Sequence, residues 1–106
     1  MVAGKQFDVC RITGLRAGSV VDLAVVLQDD ALSHLSTRVV APLVPASEIV
    51  DVDRATPLVE LDGGRYAVAM HLIMTIPVRN LGTLVGTLSR DERALKNAID
   101  TVFFGV

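Results

Sequence analysis

Apolar positions return along this chain with two different periods, and the clearer one lies at the end. From Ser89 onward Ala94, Leu95, Ala98, Ile99, Val102 and Phe103 recur every three or four places. At about 100° per residue they gather on one half of a helix circumference, with Arg93, Lys96, Asn97 and Asp100 on the other. Ser89 followed three places later by Glu92 predicts a capping box, and Asp91 and Glu92 suit the positive end of the helix dipole. Glu92 and Lys96 form an i,i+4 pair in the favourable order, Lys96 and Asp100 one in the weaker order. Gly105 predicts the helix end. The same rotation carries Phe104 in among the polar positions, away from the face that Phe103 buries. The chain thus finishes on Phe104, Gly105 and Val106, an aromatic, a glycine and an aliphatic with a free carboxylate. Either Phe104 folds back on the domain, or it forms an exposed apolar tip of the kind that binds partners.

Upstream the period shortens to that of strands. Gln6 to Ile12 reads as a first strand, closed by Gly14 and the stretch from Arg16 to Ser19. Val20 to Leu27 is apolar except for Asp22 and is rich in β-branched residues, which predicts a buried central strand. Gln28 to Ser36 reads as a connecting loop. Thr37 to Val44 is a third strand, in which Pro42 must sit where no ladder N–H is needed, such as an edge or bulge. Pro45 to Glu48 predicts a turn with one helical turn. Asp62-Gly63-Gly64 between two alternating runs, Pro57 to Leu61 and Arg65 to Met70, is a tight-hairpin signal. His71 to Val78 continues as strand, with Pro77 again implying an edge or bulge. Leu81 to Leu88 reads as the link from sheet to helix. Five or six strands covered by one helix make an α+β domain, a small antiparallel barrel or sheet core with a C-terminal α-helix, spanning residues 1–106 as one unit.

Composition narrows the function. Apolar residues make up 51% of the chain, yet charged residues interrupt every run well short of a membrane span. Lys5, Gln6 and Asp8 leave no room for a signal peptide, and the lone cysteine, Cys10, fits a reducing compartment, so a cytoplasmic protein is expected. A net charge of −2 argues against a grip on nucleic-acid phosphates. His34 and His71 lack metal-pair spacing, and neither a Cys-x-x-Cys motif nor a glycine-rich phosphate cradle occurs. His34 reads as a solvated loop residue and His71 as a hydrogen-bonded strand or interface histidine. Cys10 could be a thiol activated by Arg11, though a buried small hydrophobe is the commoner case. Asp29-Asp30 and Asp51/Asp53 are candidate carboxylate pairs that solvation explains as well. No metal, cofactor or catalytic group follows, and a binding protein rather than an enzyme is expected.

The run Leu88-Ser89-Arg90-Asp91-Glu92-Arg93-Ala94-Leu95-Lys96-Asn97-Ala98-Ile99 and the final Phe103-Phe104-Gly105-Val106 resemble the C-terminal helix of the CcdB family, toxins of bacterial toxin–antitoxin modules that poison DNA gyrase. Weaker likeness runs through Thr56 to Gly63, Ile76-Pro77-Val78, Arg38 to Leu43, Leu27 to Asp30 and Gln6 to Val9. The resemblance implies the family's SH3-like sheet core with a C-terminal helix, a homodimer, a small CcdA-like antitoxin and the gyrase A subunit as target, with no direct nucleic-acid or membrane contact. It implies that Phe104, Gly105 and Val106 carry the gyrase contact. The family toxin has tryptophan at Phe104 and isoleucine at Val106. Phe104 keeps a stacking face worth about 0.5–1 kcal/mol but loses the indole N–H, and Val106 lacks a methylene worth about 0.8 kcal/mol, so poisoning is expected to be weakened or lost. Leu72, Ile73 and Met74, an apolar run at an expected sheet edge, are the candidate dimer seam. Two other readings stand beside this one: a non-poisoning dimeric domain that docks an antitoxin, and a same-fold ribonuclease toxin using Arg16, Ser19, Thr37 and Arg38.

Overall fold

The computed structural model describes residues 4–14, 22–48 and 53–106. The predicted turn from Arg16 to Ser19, the start of the predicted second strand at Val20 and Val21, and Asp51 lie outside them. Seven strands form one curled antiparallel sheet: β1 (Asp8–Ile12), β2 (Leu23–Val26), β3 (Thr37–Pro45), β4 (Leu58–Leu61), β5 (Gly64–Val68), β6 (Met74–Pro77) and β7 (Leu81–Thr87). Helix α1 (Glu92–Phe104) follows. Strand order is β4-β5-β3-β2-β1-β7, with β6 pairing on β3. The expected α+β architecture, a small sheet core with a C-terminal helix, is what the chain adopts.

β2 shows why the sheet sits where it does. All four of its residues are buried, and with side chains alternating across a strand it feeds two cores at once. Leu23 and Val25 join Phe7, Val9, Leu43, Val68 and Met70 on the face that α1 covers. Ala24 and Val26 join Ile12 and Val40 in a second cluster, flanked by Met74, Ile76 and Leu81. A strand buried on both faces needs a nearly unbroken apolar run, which is the pattern in the sequence.

β3 is the long central strand. Its first half pairs with β6 through Thr37 to Val40, and its second half with β5 through Leu43 to Pro45. Pro42 falls in the gap between these two partners, while its other neighbour is Ala24 of β2. The Pro42 carbonyl accepts from the Ala69 N–H at 2.9 Å, so its ring nitrogen faces the same gap, where no ladder donor is required. The requirement read from the sequence is met, though inside a central strand and not at an edge. Asp62 (φ 50°) and Gly63 (φ 78°) supply the two left-handed residues of the β4–β5 hairpin.

Three expectations change. Leu81 to Thr87 is not a linker but a seventh strand, paired with β1 through two register shifts. His71 lies in a 3-10 turn (Met70–Leu72) and not in a strand, so β6 begins only at Met74. The first strand starts at Asp8, because Phe7 adopts a left-handed φ of 70°. There its N–H donates to the Val26 carbonyl at 2.7 Å and its carbonyl accepts from Leu88 at 2.8 Å, which ties β1, β2 and the helix entry together.

Candidate functional site

Helix α1 is rooted in the core and bare at its end. Leu95 and Ala98 are fully buried, and Ile99 and Val102 pack against the same cluster. This i, i+3, i+4, i+7 stripe is narrower than the sequence suggested: Ala94 is exposed, and Phe103, expected on the buried face, is 57% exposed. In the last turn Val102 still packs on the cluster, while Phe103 and Phe104 lie off the stripe. Phe104 is 75% exposed and Val106 65%. Phe104 does not fold back.

The helix start also differs. Ser89–Asp91 forms a 3-10 turn before α1, and no side chain caps the helix, so the Ser89/Glu92 capping box is not made. Leu88, 1% exposed, anchors this entry instead, by packing and by its N–H bond to Phe7. The Glu92–Lys96 pair forms at 3.1 Å on the solvent side, where such a pair contributes only about 0.3–0.5 kcal/mol.

The helix ends as Gly105 predicted, with φ 71° and ψ 21°. The Gly105 N–H donates to the Thr101 carbonyl at 3.1 Å. The Thr101 hydroxyl lies 2.8 Å from the Val106 oxygen and 3.0 Å from the Asn97 carbonyl. Val106 also lines a groove of about 520 Å³ between α1 and the segment before β4, together with Asp53, Arg54, Pro57, Asn97 and Asp100. Phe104, Gly105 and Val106, the candidate contact residues, thus form one continuous exposed surface. Thr101 was not singled out from the sequence, where a β-branched hydroxyl residue in a helix carries no signal of what its side chain will meet.

Leu72, Ile73 and Met74 are less uniform. Leu72 is 51% exposed in the turn before β6. Ile73 packs half-buried against the main core and Met74 against the second cluster. Among the described residues β3 is the one partner of β6, which lies off the main strand order.

The residues weighed for RNA cleavage divide. Arg16 and Ser19 lie outside the described residues. Arg38 is 2% exposed, and its guanidinium donates to the carbonyls of Leu35 (2.7 Å), Thr37 (2.9 Å) and Ser33 (3.0 Å). It holds the loop before β3 in place of a carboxylate partner, and its Nε has no hydrogen-bond partner. Gln28 works beside it, donating to Leu32 and Thr37 and accepting from the Val39 N–H. Burying a guanidinium among carbonyls is a tertiary event that composition does not foretell.

The remaining candidates have structural roles or none. Cys10 is buried, and burial first, then the charge of Asp8, pushes its thiol above the usual range, the reverse of an activated nucleophile. Asp29 caps the 3-10 turn at Asp30–Leu32, and Asp30 accepts from the Gln6 N–H. Asp53 braces Ala55 and Thr56. His34 and His71 are exposed. Among the described residues no group of three or more His, Cys, Asp or Glu could hold a metal ion.

Several solved structures share this fold. One described as a crystal structure of an Mtb toxin is 24% identical, with a TM-score of 0.72 over 90% of this chain and 99% of that one. The Mycobacterium tuberculosis toxin MazF-mt6 is 23% identical, with a TM-score of 0.73 over 91% of this chain and 95% of that one. An endoribonuclease in complex with its cognate antitoxin, from a mycobacterial species, is 15% identical, with a TM-score of 0.75 over 94% of each chain. At such identities the likeness is one of fold. No curated protein matches the chain. These neighbours correct the expectation of a non-enzyme. The same architecture occurs in proteins named as endoribonucleases, so the lack of a compact catalytic motif in this sequence carries no weight against enzymatic activity. Among the described residues, no helix is long and apolar enough to cross a membrane. The family described as CcdB protein matches residues 6–105, nearly the whole length, and the chain belongs to the CcdB family of toxin–antitoxin toxins.

Proposed function

We propose that this protein is a toxin that binds the A subunit of DNA gyrase through Phe104, Gly105 and Val106 and traps the cleaved-DNA complex. The observation that carries this reading is a 75% exposed phenylalanine on the end of a helix held in the core by the fully buried Leu95 and Ala98. Such an aromatic costs solvent exposure in the free protein and is compensated on a partner, which is how binding hot spots behave. The smaller Phe104 and Val106, in place of the family's tryptophan and isoleucine, weaken the poison. A homodimer with Leu72, Ile73 and Met74 near its seam, a CcdA-like antitoxin that neutralises the tip, and a cytoplasmic location complete the proposal.

The test is purified protein with gyrase and supercoiled plasmid, scoring trapped double-strand breaks for the parent, Phe104→Trp and Phe104→Ala. Breaks are expected with the parent, more with Phe104→Trp, and none with Phe104→Ala. Breaks undiminished by Phe104→Ala would remove the tip from the site.

The second reading, an mRNA-cleaving toxin, is favoured by the fold neighbours named as endoribonucleases. Of the described residues offered for it, Arg38 is already committed to three carbonyls, so Thr37 is the one left free to act. Incubating the same protein with a single-stranded RNA ladder decides it. Cleavage by the parent that survives Phe104→Ala would move the function from the tip to the sheet.

A further inference from the structure

We infer that Thr101 is a positioning residue that clamps the C-terminal tip and so presents Phe104 and Val106 as one rigid surface. The inference rests on the reading of the tip as the contact surface and adds a residue to it. Residues beyond a helix C-cap have no regular hydrogen bonds and normally fray. Here one side chain counters that. The Thr101 carbonyl accepts from Gly105 at 3.1 Å, which is the usual single-bond end of a helix with a left-handed glycine. Its hydroxyl then reaches one residue further, to the Val106 oxygen at 2.8 Å. The competing acceptor, the Asn97 carbonyl one turn back, is the more distant at 3.0 Å, and the hydroxyl has one proton to give.

Both bonds leave the same residue, three places before Phe104, so the tail is tied to the helix on which Phe104 rides. Leu95 and Ala98 fix that helix in the core, and Val106 is turned back against the groove beside Asp53, Arg54 and Asp100. The hydroxyl bond is thus the last link in a run of contacts from the core through Leu95, Ala98 and Gly105 to Val106. Ordering one residue's backbone before binding, rather than during it, corresponds to about a tenfold gain in affinity.

The experiment compares the full-length parent with Thr101→Val, which keeps the shape and removes the hydroxyl, and Thr101→Ser, which restores it. The backbone order of the Val106 amide is read by ¹⁵N relaxation, and affinity for purified gyrase A subunit by calorimetry, with Phe104→Ala as a reference. In the parent and Thr101→Ser, Val106 is expected above the ~0.6 order parameter that marks a flexible backbone, and in Thr101→Val below it. Leu95 and Ala98 amides should not change. Gyrase A binding should weaken about tenfold in Thr101→Val and recover in Thr101→Ser. An ordered Val106 in Thr101→Val, or a mobile one with undiminished affinity, overturns the clamp. If the parent does not bind gyrase A, or Phe104→Ala binds as well as the parent, the contact-surface reading fails and takes the positioning role with it, even where relaxation shows an ordered tail.

Discussion

Single residues in this protein earn their exposure or burial one contact at a time. Phe103 and Phe104 both stand in water because their places on α1 fall beside and opposite the stripe that Val102 continues, not because either is polar. Arg38 is the reverse case, a charge kept inside by three carbonyls. Cys10 offers a test of burial itself. Its ordinary pKa is 9.0, and burial with the Asp8 charge raises it in the folded protein, against a main-chain hydrogen bond with Gly4 that lowers it. A native thiol that holds its proton where the unfolded one has lost it stabilises the fold at lower pH, and that contribution declines as pH rises above 9.0. A disulfide reagent at pH 8 is expected to label folded protein at least roughly 100-fold more slowly than urea-unfolded protein, because reaction waits for opening. Equal rates would show Cys10 to be accessible.

The elements differ in how much of their definition is local. The β4–β5 hairpin was readable from Asp62-Gly63 because a two-residue turn with positive φ at both places demands such residues. Gly63→Ala meets no atom within 4 Å, yet its φ of 78° should make it cost about 1 kcal/mol in urea unfolding. The helix start was misread for an equally local reason. Ser89 and Glu92 have the right spacing, but the chain enters α1 through a 3-10 turn fixed by Leu88, which leaves the Ser89 side chain without a capping role. Ser89→Ala is therefore expected to cost well under the ~1 kcal/mol of a true N-cap, by the same unfolding measurement. A full loss would restore the capping box. β7 was missed because Gly82, Thr83, Gly86 and Thr87 dilute any alternation. The structure supplies the reason for the glycines: a Cβ on Gly86 would stand 2.7 Å from the Leu61 side chain, and one on Gly82 would stand 3.1 Å from that of Thr13. Close approach to neighbouring side chains, not strand propensity, selected them.

For the assembled molecule, the proposed dimer gives a prediction of its own. Leu72 is exposed while Ile73 packs into the core, so Leu72→Glu tests the seam without unsettling the monomer. Gel filtration is expected to show the parent as a dimer and Leu72→Glu as a monomer; a dimer that survives would move the seam away from β6. Most of the architecture was legible in advance. The period of α1, the unbroken apolar run of β2 and the glycine turns are written in residues near one another in sequence, and family resemblance marked Phe104, Gly105 and Val106 as contact residues. The rest depended on residues far apart in sequence meeting in space. Gly86 beside Leu61, Phe7 bonded to Leu88, and the width of the stripe of α1 that the core covers are long-range outcomes that no window of sequence contains. The exposure of Phe103, the burial of Arg38 and the membership of β7 follow from them. Periodicity is set by each residue's immediate neighbours along the chain, whereas burial is set by whatever the completed sheet brings alongside.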